Sequence, residues 1–153
     1  MHAADVVETL PTALPDEDAL AAVRMVAERG LPGLVVADER AVVIACMSSA
    51  ALLRAVLPPY FLEGACLAQV IDERHADLIA ADLADTPVRA LIGRVPDAVP
   101  RVRAQATAAE LGALLARRKS PFALVEAADG HILGVVTANR LLGLLAAAAE
   151  QAT

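Results

Sequence analysis

The sequence predicts an α/β fold made of two copies of one β-α-β-β-α unit, with two extra helices inserted between them. Three observations carry this reading. First, an offset of 89 residues lays Gly30-Leu31-Pro32-Gly33-Leu34-Val35-Val36 beside Lys119-Ser120-Pro121-Phe122-Ala123-Leu124-Val125. Held without gaps, it matches Pro11 to Pro100, Val43 to Ile132, Ser48 to Thr137, Leu52 to Leu141 and Leu53 to Leu142. Second, each copy switches from helical periodicity to short apolar runs around a turn signal. Third, hydrophobic residues make up 58% of the chain but aromatics only 2%, so the core is built from Ala, Val, Leu and Ile. Such a core suits helices lying close on small sheets.

The elements follow in order. Thr12 to Leu14 and Arg101 to Arg103 read as short first strands. In copy one, Asp16 or Asp18 is placed to cap a helix with Leu20, Val23 and Ala27 inward, and Gly30 to end it. In copy two the helix runs from about Ala106 to Arg118, with Leu111, Leu114 and Leu115 inward. A hairpin comes next. Leu34 to Ala37 turns at Asp38-Glu39-Arg40 and returns through Ala41 to Met47. Ala123 to Glu126 turns at Asp129-Gly130 and returns through Ile132 to Val136. Ser48 and Thr137 are natural N-caps for the closing helices, Ser49 to Leu57 and Ala138 to about Gln151, the first stopped by Pro58-Pro59.

Between the copies, Leu67, Val70 and Ile71 suggest a turn or two of helix. Asp72 then caps a second helix with Ala76, Ile79, Ala80 and Leu83 on one face. The chain therefore divides into repeat 1 (1–58), a helical insert (59–85) and repeat 2 (86–153). Val88 to Ile92 precedes copy two much as Val6 to Leu10 precedes copy one. A segment so placed packs on its own copy or is exchanged with the other.

Composition excludes several classes. The mean hydropathy of +0.56 raises the question of a membrane span. The longest charge-free run, Ala41 to Leu53, is too short for one and contains two serines. Asp5 and Glu8 interrupt the stretch where a signal peptide would be apolar, so a soluble, cytoplasmic protein is expected. Net charge is −6 and Lys119 is the only lysine, which argues against nucleic acid as a partner. Cys46 and Cys66 fit neither a disulfide framework nor a metal site, and Cys46 reads as a buried small residue. His2, His75 and His131 are scattered, and no nucleophile, carboxylate pair or glycine-rich phosphate loop stands out. No catalytic or metal-binding residue is assigned, and an enzyme is not expected.

The stretches Leu31-Pro32 to Leu53 and Ser120-Pro121 to Leu142 resemble the CBS-domain family, named after cystathionine beta-synthase. The second matches more closely, through Ser120-Pro121, Asp129-Gly130, Gly134-Val135-Val136-Thr137 and Leu141-Leu142. The resemblance implies two repeats packed sheet to sheet as a pseudo-twofold pair, a homodimer of such pairs, and a regulatory role. It also implies an adenosyl ligand (AMP, ADP, ATP or S-adenosylmethionine) in the clefts between repeats. Ser48 and Thr137 would then meet a phosphate at a helix N-terminus. The backbone at Thr12-Ala13 and Arg101-Val102, with the stretches at Pro32-Gly33 and Pro121-Phe122, would border the purine. Two departures stand out. The family's ribose-binding Asp, three residues after the Ser or Thr, is replaced by Ala51 and Arg140, neither of which accepts hydroxyl protons. Ala45 stands where copy two has Gly134. Arg140, with Arg101, would instead offer guanidinium donors to a phosphate. The alternative is a ligand-free dimerisation or protein-interaction module. It would use the insert helices Leu67 to Leu83 for an unidentified protein partner and Leu141 to Ala149 as a dimer face.

Overall fold

Each copy of the repeat builds one three-stranded sheet, and the two sheets share a topology. The computed structural model describes residues 1–59, 73–94 and 99–153. In the first sheet β1 (Thr12–Ala13) lies parallel to β2 (Gly33–Ala37), which pairs antiparallel with β3 (Val43–Ser48). Helix α1 (Ala19–Arg29) makes the crossover between β1 and β2, and α2 (Ser49–Val56) follows β3. Helices α3 (Glu73–Ala84) and α4 (Val88–Arg94) come next. The second sheet has β4 (Arg101–Arg103) parallel to β5 (Phe122–Glu126) and β6 (Ile132–Thr137) antiparallel to it. Helix α5 (Ala108–Arg118) crosses over and α6 (Ala138–Gln151) closes the copy. The β-α-β-β-α order expected from sequence is thus present twice.

The central strands explain their composition. Every residue of β2 is buried, and so are Phe122 to Val125 of β5. A strand covered on both faces reads as an unbroken apolar run, not as an alternating one. The hairpin turns are tied by carboxylates. Asp38 Oδ1 accepts the backbone N–H groups of Arg40 (2.8 Å) and Val42 (3.0 Å). Asp129 Oδ1 accepts the backbone N–H of His131 at 3.1 Å and contacts its ring nitrogen. These contacts, the imidazole first, hold the Asp129 carboxyl below its ordinary range.

Three helix expectations need correction. The inward stripe of α1 is Ala19, Ala22 and Val26, flanked by Leu20 and Val23, whereas Ala27 is exposed. Val26 fills the position one residue earlier, and an adjacent residue on a helix points about 100° away. Asp18 sits at the N-cap of α1 without a side-chain hydrogen bond, and Asp16 pairs with Arg89. The first N–H of that helix, from Ala19, goes to the carbonyl of Thr86 at 2.8 Å instead. On α3, Leu83 is buried and Ile79 packs on the core, while Ala76 and Ala80 are exposed. Leu67, Val70, Ile71 and the Asp72 cap lie outside the described residues. Cys46 is half-buried, not enclosed.

The compact units do not follow chain order. One comprises residues 12–59 and 73–94, and the other comprises residues 1–11 and 99–153. Of the two placements open from sequence, exchange is what the structure holds. In the first unit, Val88 and Leu91 of α4 are fully buried beside α1 and α2, and Val88 N–H donates to Glu17 O at 2.9 Å. In the second unit, Ala3 N–H donates to Ala106 O (2.7 Å) and Ala4 N–H to Ala104 O (3.0 Å). Ala3 and Val6 join Leu111, Leu115, Val125 and Val136 in its core. Glu8 pairs antiparallel with Val135, exchanging N–H···O bonds of 2.7 and 2.9 Å.

Gly134 makes that pairing feasible. A Cβ there would stand 2.6 Å from the Glu8 carbonyl oxygen and 2.6 Å from Val7 Cγ2, on a backbone at φ +154°. Gly134→Ala is therefore expected to destabilise the fold by about 1–3 kcal/mol through overpacking, read as a lowered urea midpoint. The 89-residue offset also matches Gly30 to Lys119, and both close their helices in the left-handed region, at φ 58° and φ 50°. Only glycine adopts that conformation without a steric penalty. Lys119→Gly is expected to raise stability by about 1 kcal/mol, and an unchanged urea midpoint would contradict this.

Candidate strand-to-helix site

The return strand of each hairpin passes without a loop into a helix, and a hydroxyl caps that helix. Ser48 closes β3 with extended backbone (φ −67°, ψ 159°), and its Oγ accepts the Ala51 N–H at 3.1 Å. Thr137 closes β6 in the same conformation (φ −92°, ψ 151°), and its Oγ1 accepts the Arg140 N–H at 3.1 Å. Each cap satisfies one of the N–H groups that a helix start leaves without an intrahelical partner. The remaining N–H groups and the positive helix end make such a start favourable for an anion.

The sheet register brings part of the predicted set together. Gly33 lies directly across from Ser48, and Pro32 O accepts the Ser49 N–H at 3.0 Å. In the second unit Phe122 lies across from Thr137, and Pro121 O accepts the Ala138 N–H at 2.8 Å. Pro32-Gly33-Ser48 and Pro121-Phe122-Thr137-Arg140 are therefore two compact groups. The first-strand residues stand further along. Thr12 and Ala13 pair with Val35 and Val36, and Arg101 and Val102 pair with Leu124 and Val125. Thr12 and Arg101 are thus beside positions two residues from Gly33 and Phe122, about 7 Å along the strand.

The side chains differ in what they have to offer. Ala13 and Phe122 are fully buried and serve the core. Thr12 is exposed. Arg101 donates to Glu126 Oε1 at 2.9 Å, so its guanidinium already has an acidic partner on its own sheet. Arg140 is exposed, and among the described residues its guanidinium has no ion pair. Sequence reasoning missed Glu8. The Thr137 hydroxyl donates to Glu8 Oε2 at 3.0 Å, across 129 residues of sequence. The only signal was the acid itself, in an otherwise apolar segment before copy one. Among the described residues no cluster of His, Cys, Asp and Glu could hold a metal ion, and no helix is long and apolar enough to cross a membrane.

No family model and no curated protein matches the chain. Solved structures do. A CBS domain-containing protein of unknown function from Kribbella flavida is 36% identical with a TM-score of 0.73, covering 95% of this chain and 99% of its own. CBSX2, solved in complex with AMP, is 18% identical with a TM-score of 0.65, covering 94% and 95%. The CBS domain of a bacterial CNNM/CorC family Mg2+ transporter, solved in complex with ATP, is 15% identical with a TM-score of 0.61, covering 92% and 84%. The last two share the fold. The first shares sequence as well, over nearly the full length of both chains, and by that likeness this chain belongs to the CBS-domain family.

Proposed function

We propose that the protein is a non-catalytic, cytoplasmic regulatory CBS pair that takes a phosphorylated adenosyl ligand at its strand-to-helix junctions. The observation that carries the reading is the repeated junction. In both units a Ser or Thr hydroxyl caps a helix start directly beside the Pro-led entry of the central strand. The complexes of CBSX2 with AMP and of the transporter domain with ATP support an adenine nucleotide as the class. ADP belongs to the same class, and S-adenosylmethionine shares its adenosyl group without the phosphate. Ala51 and Arg140 stand where a carboxylate would grip the ribose, so recognition rests on the phosphate. Arg140, exposed and without an ion pair among the described residues, supplies the charge for it. Arg101 contributes less, because Glu126 already holds it. Pro32, Gly33, Pro121 and the backbone at Thr12-Ala13 and Arg101-Val102 would border the base. A ligand alters function only through unequal affinity for two states, so the signal passes to a second copy or to a protein partner.

A second reading, a ligand-free dimerisation module, is favoured by exposed leucines. Leu142 and Leu145 on α6 are 62% and 67% exposed, and Leu53, the counterpart of Leu142 on α2, is 58% exposed. On the insert, Leu78 of α3 is exposed and Leu83 is buried. Apolar side chains at that exposure on closing helices suit burial against a second copy.

A thermal-shift panel of AMP, ADP, ATP, S-adenosylmethionine, NAD and adenosine tests the first reading. A ligand at about 100 times its Kd adds about 2.7 kcal/mol, a plain rise in Tm. The rise is expected for phosphorylated members and is expected to be lost in Thr137→Val and in Arg140→Ala. A flat response across the panel would reject it. Sedimentation tests the dimer. The wild type is expected at twice the chain mass, and Leu142→Glu combined with Leu145→Glu at the chain mass. A monomeric wild type would exclude the second reading.

A further inference from the structure

The hydroxyl of Thr137 has one proton, and Glu8 holds it. Oγ1 donates to Glu8 Oε2 at 3.0 Å and accepts the Arg140 N–H at 3.1 Å. Both bonds lie within one unit, because residues 1–11 pack with copy two. The backbone of Glu8 is fixed there by its two bonds to Val135 and by the close approach over Gly134, so the carboxylate is delivered to this place by main-chain structure. An anionic oxygen accepting from Thr137 would need the position Oε2 already occupies. If Glu8 stayed, two negative oxygens would compete for a single donor at contact distance.

We infer that Glu8 is a built-in competitor for the anion position of copy two, so that a phosphate gains Thr137 only by displacing the Glu8 carboxylate. The inference rests on the nucleotide reading above and adds a regulation to it. Glu8 is half-buried, not enclosed, so its side chain can swing out while the Glu8–Val135 backbone pair stays formed. The competitor discriminates by charge. It opposes a phosphorylated ligand and leaves a neutral nucleoside untouched. The 89-residue offset that carries Ser48 onto Thr137 also carries Glu8 onto Asp97, so an acid stands at the same register before both copies. Asp97 lies outside the described residues.

Calorimetric titration of wild type, Glu8→Ala and Glu8→Gln with AMP and with adenosine tests this, with equal urea midpoints confirming that the variants fold. Removing the like charge is expected to tighten AMP binding by about tenfold or more in Glu8→Ala, with a smaller gain in Glu8→Gln. Adenosine is expected to gain nothing in either variant, since no charge is opposed there. Adding Thr137→Val to Glu8→Ala should abolish the gain. AMP binding that is equal in wild type and Glu8→Ala, or a gain that survives Thr137→Val, overturns the role of Glu8 and leaves the nucleotide reading standing. If neither wild type nor Glu8→Ala binds AMP, both fall together.

Discussion

The arrangement of the second unit depends on a backbone-to-backbone approach that tolerates no side chain at one position. Residues 7 and 8 lie so close over β6 that even a methyl group on Gly134 would overlap them. From that contact follow the two hydrogen bonds between Glu8 and Val135, the burial of Val6 and Ala3, and the delivery of a carboxylate to Thr137. The approach, through the Glu8 carbonyl and Val7 Cγ2, is sensitive to the residue beneath it. Gly134 therefore decides more of the local structure than the larger residues around it.

The first unit solves its packing differently. Ala13, Ala19, Ala22, Ala51 and Ala55 are all buried in one cluster with Val26, Leu34, Val36, Met47 and Leu52, so α1 and α2 meet the core partly on methyl groups. Each alanine removes little apolar area from water, and the area per residue is what drives burial. Helices α3 and α4, with Leu83, Val88 and Leu91, make up part of that area. This unit therefore needs α3 and α4, although neither belongs to its own β-α-β-β-α unit.

Much of this was legible in the sequence, for identifiable reasons. The hairpins were readable because a doubly covered strand leaves an unbroken apolar run, and because Asp38 and Asp129 tie turns through their own carboxylates. The junction caps were readable because Ser and Thr at a strand end before a helical stripe have one obvious backbone role. The phase of α1 was not, since alanine is equally acceptable on either face of a helix, and tertiary packing buries Ala22 and Val26 while leaving Ala27 exposed. The silent Asp18 cap was not, because Thr86, distant in sequence, takes one of the N–H groups at that helix start. Glu8 escaped for the same reason. Its partner is 129 residues away, and a pattern of local periodicity carries no information about an exchanged segment.

The exchange also sets an order of assembly. Residues 1–11 are synthesised ahead of copy one, yet their partners, among them Ala104, Ala106, Val135 and Thr137, are made only after the whole of copy one. The unit formed by residues 12–59 and 73–94 has all its parts once α4 has emerged and can collapse at that stage, as domains generally do during synthesis. The arm carrying Ala3, Val6 and Glu8 must wait, and closing so long a loop is slow compared with local contacts. A segment that precedes copy one thus finds its place only once copy two has been made.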